Sequence, residues 1–308
     1  MTDIDLKSMT EALICLCRKV VEEGYSIAVT GHDSPDADSI ISAVMMKKVL
    51  EKFDVDSDIK FGTEPDRVTQ RDMQKLGILD GISFDGFDEG DRLLLVDHHK
   101  SFYPHPVFAC VDHHTTLPES EGEVAIVMAA SSCGRVIFDM ANACECADGE
   151  LERLAIYSVF LDTQSCRSPK FKAKDIPWLE FGIEKYGIDR DKLTRMGYVL
   201  CDSSESIEEL AMYGFKKYSF GKRPSFSTCI QIDTSEPEWD EIIENINAHL
   251  ADELRKENGA LWVFVVNKPI ETRSDIYFIE QSGRVDKVEL DRLASRSRDV
   301  IAVVSVAK

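Results

Sequence analysis

Most of the chain's histidines are gathered with aspartates into three short segments, and each segment closes an apolar, β-rich run. Gly31-His32-Asp33-Ser34-Pro35-Asp36-Ala37-Asp38 follows the run Tyr25–Thr30. Asp97-His98-His99 follows Arg92–Val96, and Asp112-His113-His114 follows Pro106–Val111. A run such as Leu93-Leu94-Leu95-Val96, apolar without alternation, is the kind that a parallel sheet buries on both faces. In open α/β sheets the carboxyl ends of the strands are where ligands collect, so these three loops are expected to meet. Carboxylates and imidazoles brought together at the edge of a core need compensating cations. Their donor atoms suit Mn, Zn, Fe or Co. One such segment alone reads as a local hydrogen-bonded turn; three at successive strand ends read as a metal site.

The periodicity around these segments predicts an α/β first domain. Leu6, Met9, Leu13, Leu16, Val20 and Val21 give helical spacing over 5–23, closed by Gly24. Further helices are expected at about 39–52, 67–76, 132–142 and 150–161, between strands at 25–30, 58–61, 92–96 and 106–111. Strand and helix in turn imply a mostly parallel sheet flanked by helices. The pattern loosens near Tyr186-Gly187-Ile188-Asp189 and then restarts, which divides the chain into domains 1–188 and 189–308. The smaller C-terminal α/β domain is expected to hold helices at 192–200, 207–212, 239–257 and 287–294. Its strands are expected at 215–220, 227–232, 261–266, 275–280 and 300–306. The leading helix is available either to pack on the first domain or to offer its apolar stripe to a second subunit, as in a homodimer.

Charge narrows the function. The chain has 308 residues, with 36 Lys and Arg against 56 Asp and Glu, a formal net charge of −20. That repels polyanions and disfavours duplex nucleic acid, which is bound through basic patches. A small phosphate remains admissible where metal ions invert the local sign. No apolar run is long enough to cross a bilayer, so no membrane partner is expected. The start Met1-Thr2-Asp3-Ile4-Asp5 is acidic where a signal peptide is basic. Nine scattered cysteines without a CxxC pair read as reduced thiols, and together these features predict a cytoplasmic protein.

The segments together resemble the N-terminal motifs of the DHH phosphoesterase superfamily, and most fully those of manganese-dependent family II inorganic pyrophosphatases. The GHxNPDxDS-like loop is matched by Gly31–Ser39, the VDH motif by Val96-Asp97-His98, and the DHH signature by Asp112-His113-His114. A later Asp-Thr is matched by Asp162-Thr163, and a Ser/Gly segment by Ser131-Ser132-Cys133-Gly134. The resemblance implies one divalent metal on His32 and Asp36 and another on Asp38 and His113, with Asp97 and Asp162 bridging. Mn2+ is the expected ion, with Co2+ or Mg2+ as alternatives. It also implies that Asp97, Asp162 and His114 carry the chemistry, that His114 faces substrate, and that Asp112 orients an imidazole. The chain has two Asp-His-His triplets; order along it assigns Asp97 as the bridge. His98 and His99 are then left to line the site or to bond the backbone.

The C-terminal half lacks the GGGH-like motif of oligonucleotide-cleaving relatives. It resembles instead the domain of family II pyrophosphatases and eukaryotic exopolyphosphatases, down to Ala294-Ser295-Arg296-Ser297-Arg298. Where the pyrophosphatases read SRKKQ, Arg296 keeps the arginine, Ser297 replaces the first lysine and Arg298 the second. By that resemblance Arg296 and Arg298 bind substrate. A further lysine expected near Leu200-Cys201-Asp202 is missing, which counts against strict specificity for pyrophosphate. Arg167, Lys170, Lys172 and Lys174 are available to replace part of that charge. The reading is a dinuclear metal-dependent hydrolase of pyrophosphate or short polyphosphate, its active site in the cleft between domains. The alternatives are a phosphodiesterase acting on a nucleotide or short oligonucleotide, and a metal-holding regulatory protein with little turnover.

Overall fold

The computed structural model describes residues 3–100, 103–115, 122–167, 171–197, 200–218, 223–234, 237–294 and 299–300. It divides into two compact units, Met1–Gly197 and Tyr198–Lys308.

The first unit runs α1 (Asp3–Glu22), β1 (Ser26–Thr30), α2 (Ala37–Glu51), β2 (Asp58–Lys60), α3 (Arg67–Lys75), β3 (Ile82–Ser83) and β4 (Asp91–Val96). It continues through β5 (Val107–Asp112), β6 (Val124–Val127), α4 (Cys133–Ala143), α5 (Gly149–Asp162), α6 (Ile176–Tyr186) and α7 (Arg190–Gly197). The six strands form one parallel sheet in the order β3-β2-β1-β4-β5-β6. From β1 the chain winds outward to β3, then returns to the other side of β1 and winds outward again from β4 to β6. The strand order therefore reverses between β1 and β4, and that is where a crevice opens beyond the strand ends.

The apolar runs lack alternation because both faces are covered. Ile27, Val29, Leu94, Val96, Ala109 and Val111 share one core with the helices. Ala28, Leu93, Leu95 and Cys110 point the other way, where Phe87, Tyr103 and Val107 pack on them. Register aligns the site segments: Thr30 pairs with Leu95, and Val96 with Val111. Residues far apart in sequence thus leave the sheet at one level. Helix α2 is buried along most of its length, against β1, β4, α4 and α5. A helix enclosed in this way carries no polar face to give it amphipathic spacing.

The N-terminal helix takes the first of its two expected places. Leu6, Leu13, Ile14, Cys17 and Val20 are buried in the main core, and α1 packs on α4, β1 and β6. Helix α7, which the sequence pattern assigns to the second domain, packs on α5 and lies in the first unit. Local loosening at Gly187, a left-handed helix cap, marks the end of α6 and not the end of the packed unit.

The second unit holds α8 (Ile207–Ala211), β7 (Lys216–Tyr218), β8 (Ser225–Gln231), α9 (Trp239–Lys256), β9 (Leu261–Lys268), β10 (Arg273–Glu280) and β11 (Val285–Leu290). Its sheet has the order β11-β10-β9-β8-β7; β8 and β9 are parallel, and the other neighbours are antiparallel. Trp262, Phe226 and Phe264 pack with α9 through Ile246, Leu250 and Leu254. The helix expected at 287–294 is corrected: residues 285–290 form an edge strand, exposed at five of six positions. Gly283, at φ +87°, turns the chain so that Ile279 pairs with Val285 and Ser274 with Leu290. The step from Val285 to Val288 suits a helix and the step from Val288 to Leu290 a strand, and the hairpin decides between them. The strand expected at 300–306 lies, apart from Val300, outside the described residues. Among the described residues no helix is long and apolar enough to cross a membrane.

Buried Asp275 ties this unit together by accepting from Lys268 Nζ at 2.9 Å and Lys287 Nζ at 3.0 Å. Burial alone would raise its pKa, but the two lysines outweigh it and hold the carboxyl below its usual range. A carboxylate with a lowered folded pKa stabilises above its unfolded value, about 3.9, and that contribution is lost as pH falls through the folded value. Asp275→Asn is expected to lower stability at pH 7 by about 1–3 kcal/mol. Below about pH 4 the deficit should shrink, as wild type loses the same ion pairs. Urea unfolding followed by tryptophan fluorescence at the two pH values checks this, and a deficit that does not depend on pH contradicts it.

Candidate metal centre

Four chain segments place the candidate ligands. At the end of β1, a Cβ on Gly31 would stand 2.5 Å from Ser39 Cβ, so only glycine lets this strand end pass so close to the first turn of α2. His32 follows. Asp36 then caps α2, its Oδ1 accepting from Ser39 N at 3.0 Å, and Asp38 lies buried in the first turn. At the end of β4 the chain turns sharply at Asp97, whose φ of +62° is left-handed. Aspartate tolerates that state better than most side chains. Its N–H donates to Val111 O at 3.0 Å and to Cys133 Sγ at 3.2 Å. Strand β5 ends in Asp112, followed by His113 and His114, and α5 ends in Asp162.

These segments bring His32, Asp36, Asp38, Asp97, His113 and Asp162 together. His32 Nε2 lies 3.5 Å from Asp36 Oδ2 and 3.6 Å from Asp97 Oδ2. His113 Nε2 lies 3.7 Å from both Asp38 Oδ2 and Asp162 Oδ2, and 3.3 Å from Asp97 Oδ1. Among the described residues Asp97, Asp112, His113 and His114 have donor atoms within 4.8 Å of one another, and so do the members of each of two further sets, His32/Asp36/Asp97 and Asp38/His113/Asp162. Asp97 turns one oxygen toward each of these two sets.

The electrostatics fit cations. Burial, followed by the charges of Asp38, Asp36 and Asp162, raises the Asp97 carboxyl well above its usual range. Its Oδ1 is buried with no hydrogen-bond partner, and so is His113 Nε2. Burial works against a charged His32, but Asp36, Asp97 and Asp38 prevail and raise its pKa. Orphaned buried atoms are rare, and a mixed imidazole and carboxylate donor set suits divalent transition ions.

Around the sets, hydrogen bonds fix the orientation of the candidate ligands. Asp38 Oδ1 accepts from Ser158 Oγ at 2.6 Å, Ser42 Oγ at 3.1 Å and Gly134 N at 3.2 Å, and its Oδ2 accepts from Cys133 N at 2.8 Å. The positive end of α4 therefore faces this carboxylate. Ser39 Oγ donates to Asp97 Oδ2 at 2.7 Å. Asp112 Oδ1 accepts the amides of His113 and His114 at 2.6 and 3.1 Å and lies 2.8 Å from His114 Nδ1, while its Oδ2 contacts His99 Nδ1. Burial would raise the Asp112 pKa, but these bonds overcome it and bring it to about 2. The hydrogen bond from His114 to Asp112 raises the pKa of His114, whose ring is partly exposed. His98 Nδ1 lies 3.0 Å from Val96 O, so the two extra histidines rest on backbone and on Asp112 respectively.

Sequence reasoning passed over Ser39, Ser42, Ser158 and the role of Cys133. Ser42 stands four residues from Asp38, one helical turn away, and that spacing was the available signal for it. Arg296, Arg298 and Lys170 lie outside the described residues. After Asp162, Lys172 donates its amide to Ser131 Oγ at 2.9 Å, and Lys174 is exposed.

Residues 26–158 match the model of the DHH family, N-terminal domain. A manganese-dependent inorganic pyrophosphatase of Methanocaldococcus jannaschii is 24% identical over 309 residues, covering 89% of this chain and 96% of that protein. A crystal structure of a candidate family II inorganic pyrophosphatase of Methanococcus jannaschii superposes with TM-score 0.62 at 21% identity, over 91% of this chain and 99% of the other. An exopolyphosphatase-related protein from Bacteroides fragilis gives TM-score 0.50 at 18% identity, over 88% and 83%. The family resemblance and the α/β architecture read from the sequence are borne out.

A Cβ on Gly134 would stand 2.4 Å from Ser158 Oγ and 2.7 Å from Ser158 Cβ. Gly134→Ala should therefore displace Ser158 from Asp38 and weaken any divalent-ion binding at this set by about 10–100-fold. Calorimetric Mn2+ titration of the folded variant measures this; wild-type affinity would show that Asp38 does not depend on Ser158.

Proposed function

We propose that this chain, through its DHH-family domain, hydrolyses phosphoanhydride bonds with two divalent ions, Mn2+ foremost, and that its substrate is pyrophosphate or short polyphosphate. One observation carries the reading: Asp97 directs Oδ2 toward His32 and Oδ1 toward His113, as a residue shared between two neighbouring cations would. His32 and Asp36 would hold one ion and Asp38 and His113 the other. Asp97 would be shared, and Asp162, grouped with Asp38 and His113, would complete the bridge. Bound there, the ions would supply an activated water and neutralise charge on the phosphate oxygens.

The chain's own groups do the rest. Asp112 occupies His114 Nδ1, which leaves Nε2 of this partly exposed ring as the nitrogen that meets a phosphate oxygen. Protonated, it donates a charge-assisted hydrogen bond to charge that grows on the leaving oxygen. Ser39 prevents Asp97 from swinging away from the shared position. Arg296 and Arg298 are proposed to bind the outer phosphates, with Ser297 between them. One cationic residue fewer in that segment favours a longer, less densely charged chain over strict pyrophosphate.

Release of phosphate from pyrophosphate, tripolyphosphate and long polyphosphate, and of mononucleotides from dinucleotides, with Mn2+, Co2+ and Mg2+ in turn, tests the proposal. Turnover of the inorganic chains is expected to be greatest with Mn2+ and to stop on chelation. Activity confined to dinucleotides points to a phosphodiesterase, and metal uptake without turnover to a regulatory protein. Asp97→Ala and Asp162→Ala should each lower kcat by more than the ~100-fold typical of losing an outer partner of a ligand. Arg296→Ala should chiefly raise KM, and an unchanged KM removes it from the substrate site.

A further inference from the structure

We infer that Cys133 is a positioning residue that locks the two ligand sets of the metal centre into one rigid body; the inference rests on the metal-centre reading above. The side chain is fully buried at the start of α4 and touches the backbone of both strands that deliver ligands. Its Sγ accepts the N–H of Asp97 at 3.2 Å and donates to Val111 O at 3.3 Å. Val111 O also accepts the Asp97 N–H, at 3.0 Å, so the three groups close a small triangle where β4 leaves the sheet. The same residue's amide donates to Asp38 Oδ2 at 2.8 Å. Cys133 thus holds the backbone of the shared carboxylate with its sulfur and the carboxylate of the second set with its N–H.

The sulfur contact matters because Asp97 is left-handed. A non-glycine residue keeps that state only where its surroundings overdetermine it. Here the only hydrogen that Asp97 offers from its backbone is shared between a strand carbonyl and the thiol. Without the sulfur the Asp97 N–H keeps one anchor, Val111 O, and the backbone can tilt and carry the carboxylate with it, against the restraint of Ser39 Oγ. Tilting moves both carboxylate oxygens at once, so both ion sites lose their geometry together.

Cys17 supplies the control. It is also fully buried in the same core, but it lies on α1, which carries no candidate ligand. Truncating either thiol to alanine removes the same buried atom, so effects of lost packing alone should match. In the full-length protein, Mn2+ titration calorimetry and the visible absorption of the Co2+-substituted form are compared for wild type, Cys133→Ala, Cys133→Ser and Cys17→Ala. Cys133→Ala is expected to weaken Mn2+ binding by about 10–100-fold and to change the Co2+ spectrum. Cys17→Ala should keep both, and Cys133→Ser, which retains a donor and an acceptor, should recover most of the loss. Should Cys133→Ala fail to fold, Cys133→Val fills the space without hydrogen bonds and should lose affinity relative to Cys133→Ser. Wild-type affinity and spectrum in Cys133→Ala, or an equal loss in Cys17→Ala, overturns the role. Equal affinities in Cys133→Val and Cys133→Ser overturn it too. A wild-type chain that takes up no ion overturns the metal-centre reading itself, and the role with it, so the two failures are distinguishable.

Discussion

Mutual repulsion among carboxylates governs the first unit. Asp36, Asp38, Asp97 and Asp162 converge around two imidazoles beyond the ends of buried strands, where desolvation penalises the charge of Asp97 most directly. The fold answers this unevenly. Asp38 is satisfied by two hydroxyls and two amides at the start of α4, and Asp112 by two amides and two imidazoles. Asp97 receives one hydroxyl on Oδ2 and nothing on Oδ1. Support is thus complete where a ligand needs orienting and withheld where a cation would have to be met.

The order β3-β2-β1-β4-β5-β6 is also that of doubly wound dinucleotide-binding folds, yet the chemistry at its crevice is opposite. In those folds a glycine-rich turn opens the first helix, whose free amides meet a pyrophosphate. Here the segment after β1 carries His32, Asp36 and Asp38, and Asp36 itself caps α2 by accepting the Ser39 amide. Anionic side chains have taken the place that phosphate holds elsewhere. A phosphate ligand must therefore be met through cations.

Much of this was legible in the sequence because the signals were local. Apolar runs without alternation announced a sheet covered on both faces, and the three Asp/His segments sat at the carboxyl ends of those runs. The serines around Asp38 were less visible, since a lone serine in an apolar helix such as α5 reads as filler until its partner 120 residues away is known to lie beside it. The strand at 285–290 escaped for a different reason: its few apolar residues suit two periods, and pairing with β10 settles the matter. The reach of the first unit was misjudged because Gly187 ends a helix without ending the packing against α5.

The left-handed backbone at Asp97 has an evolutionary corollary. Asparagine adopts the same dihedral state with ease, has nearly the same shape, and can still accept from Ser39. Replacing one with the other would erase the shared negative charge while leaving the turn, the neighbouring strands and the packed interior undisturbed. On the function proposed for Asp97, a descendant of this chain could therefore lose turnover in one step and persist as a well-folded protein, free to be recruited for something else.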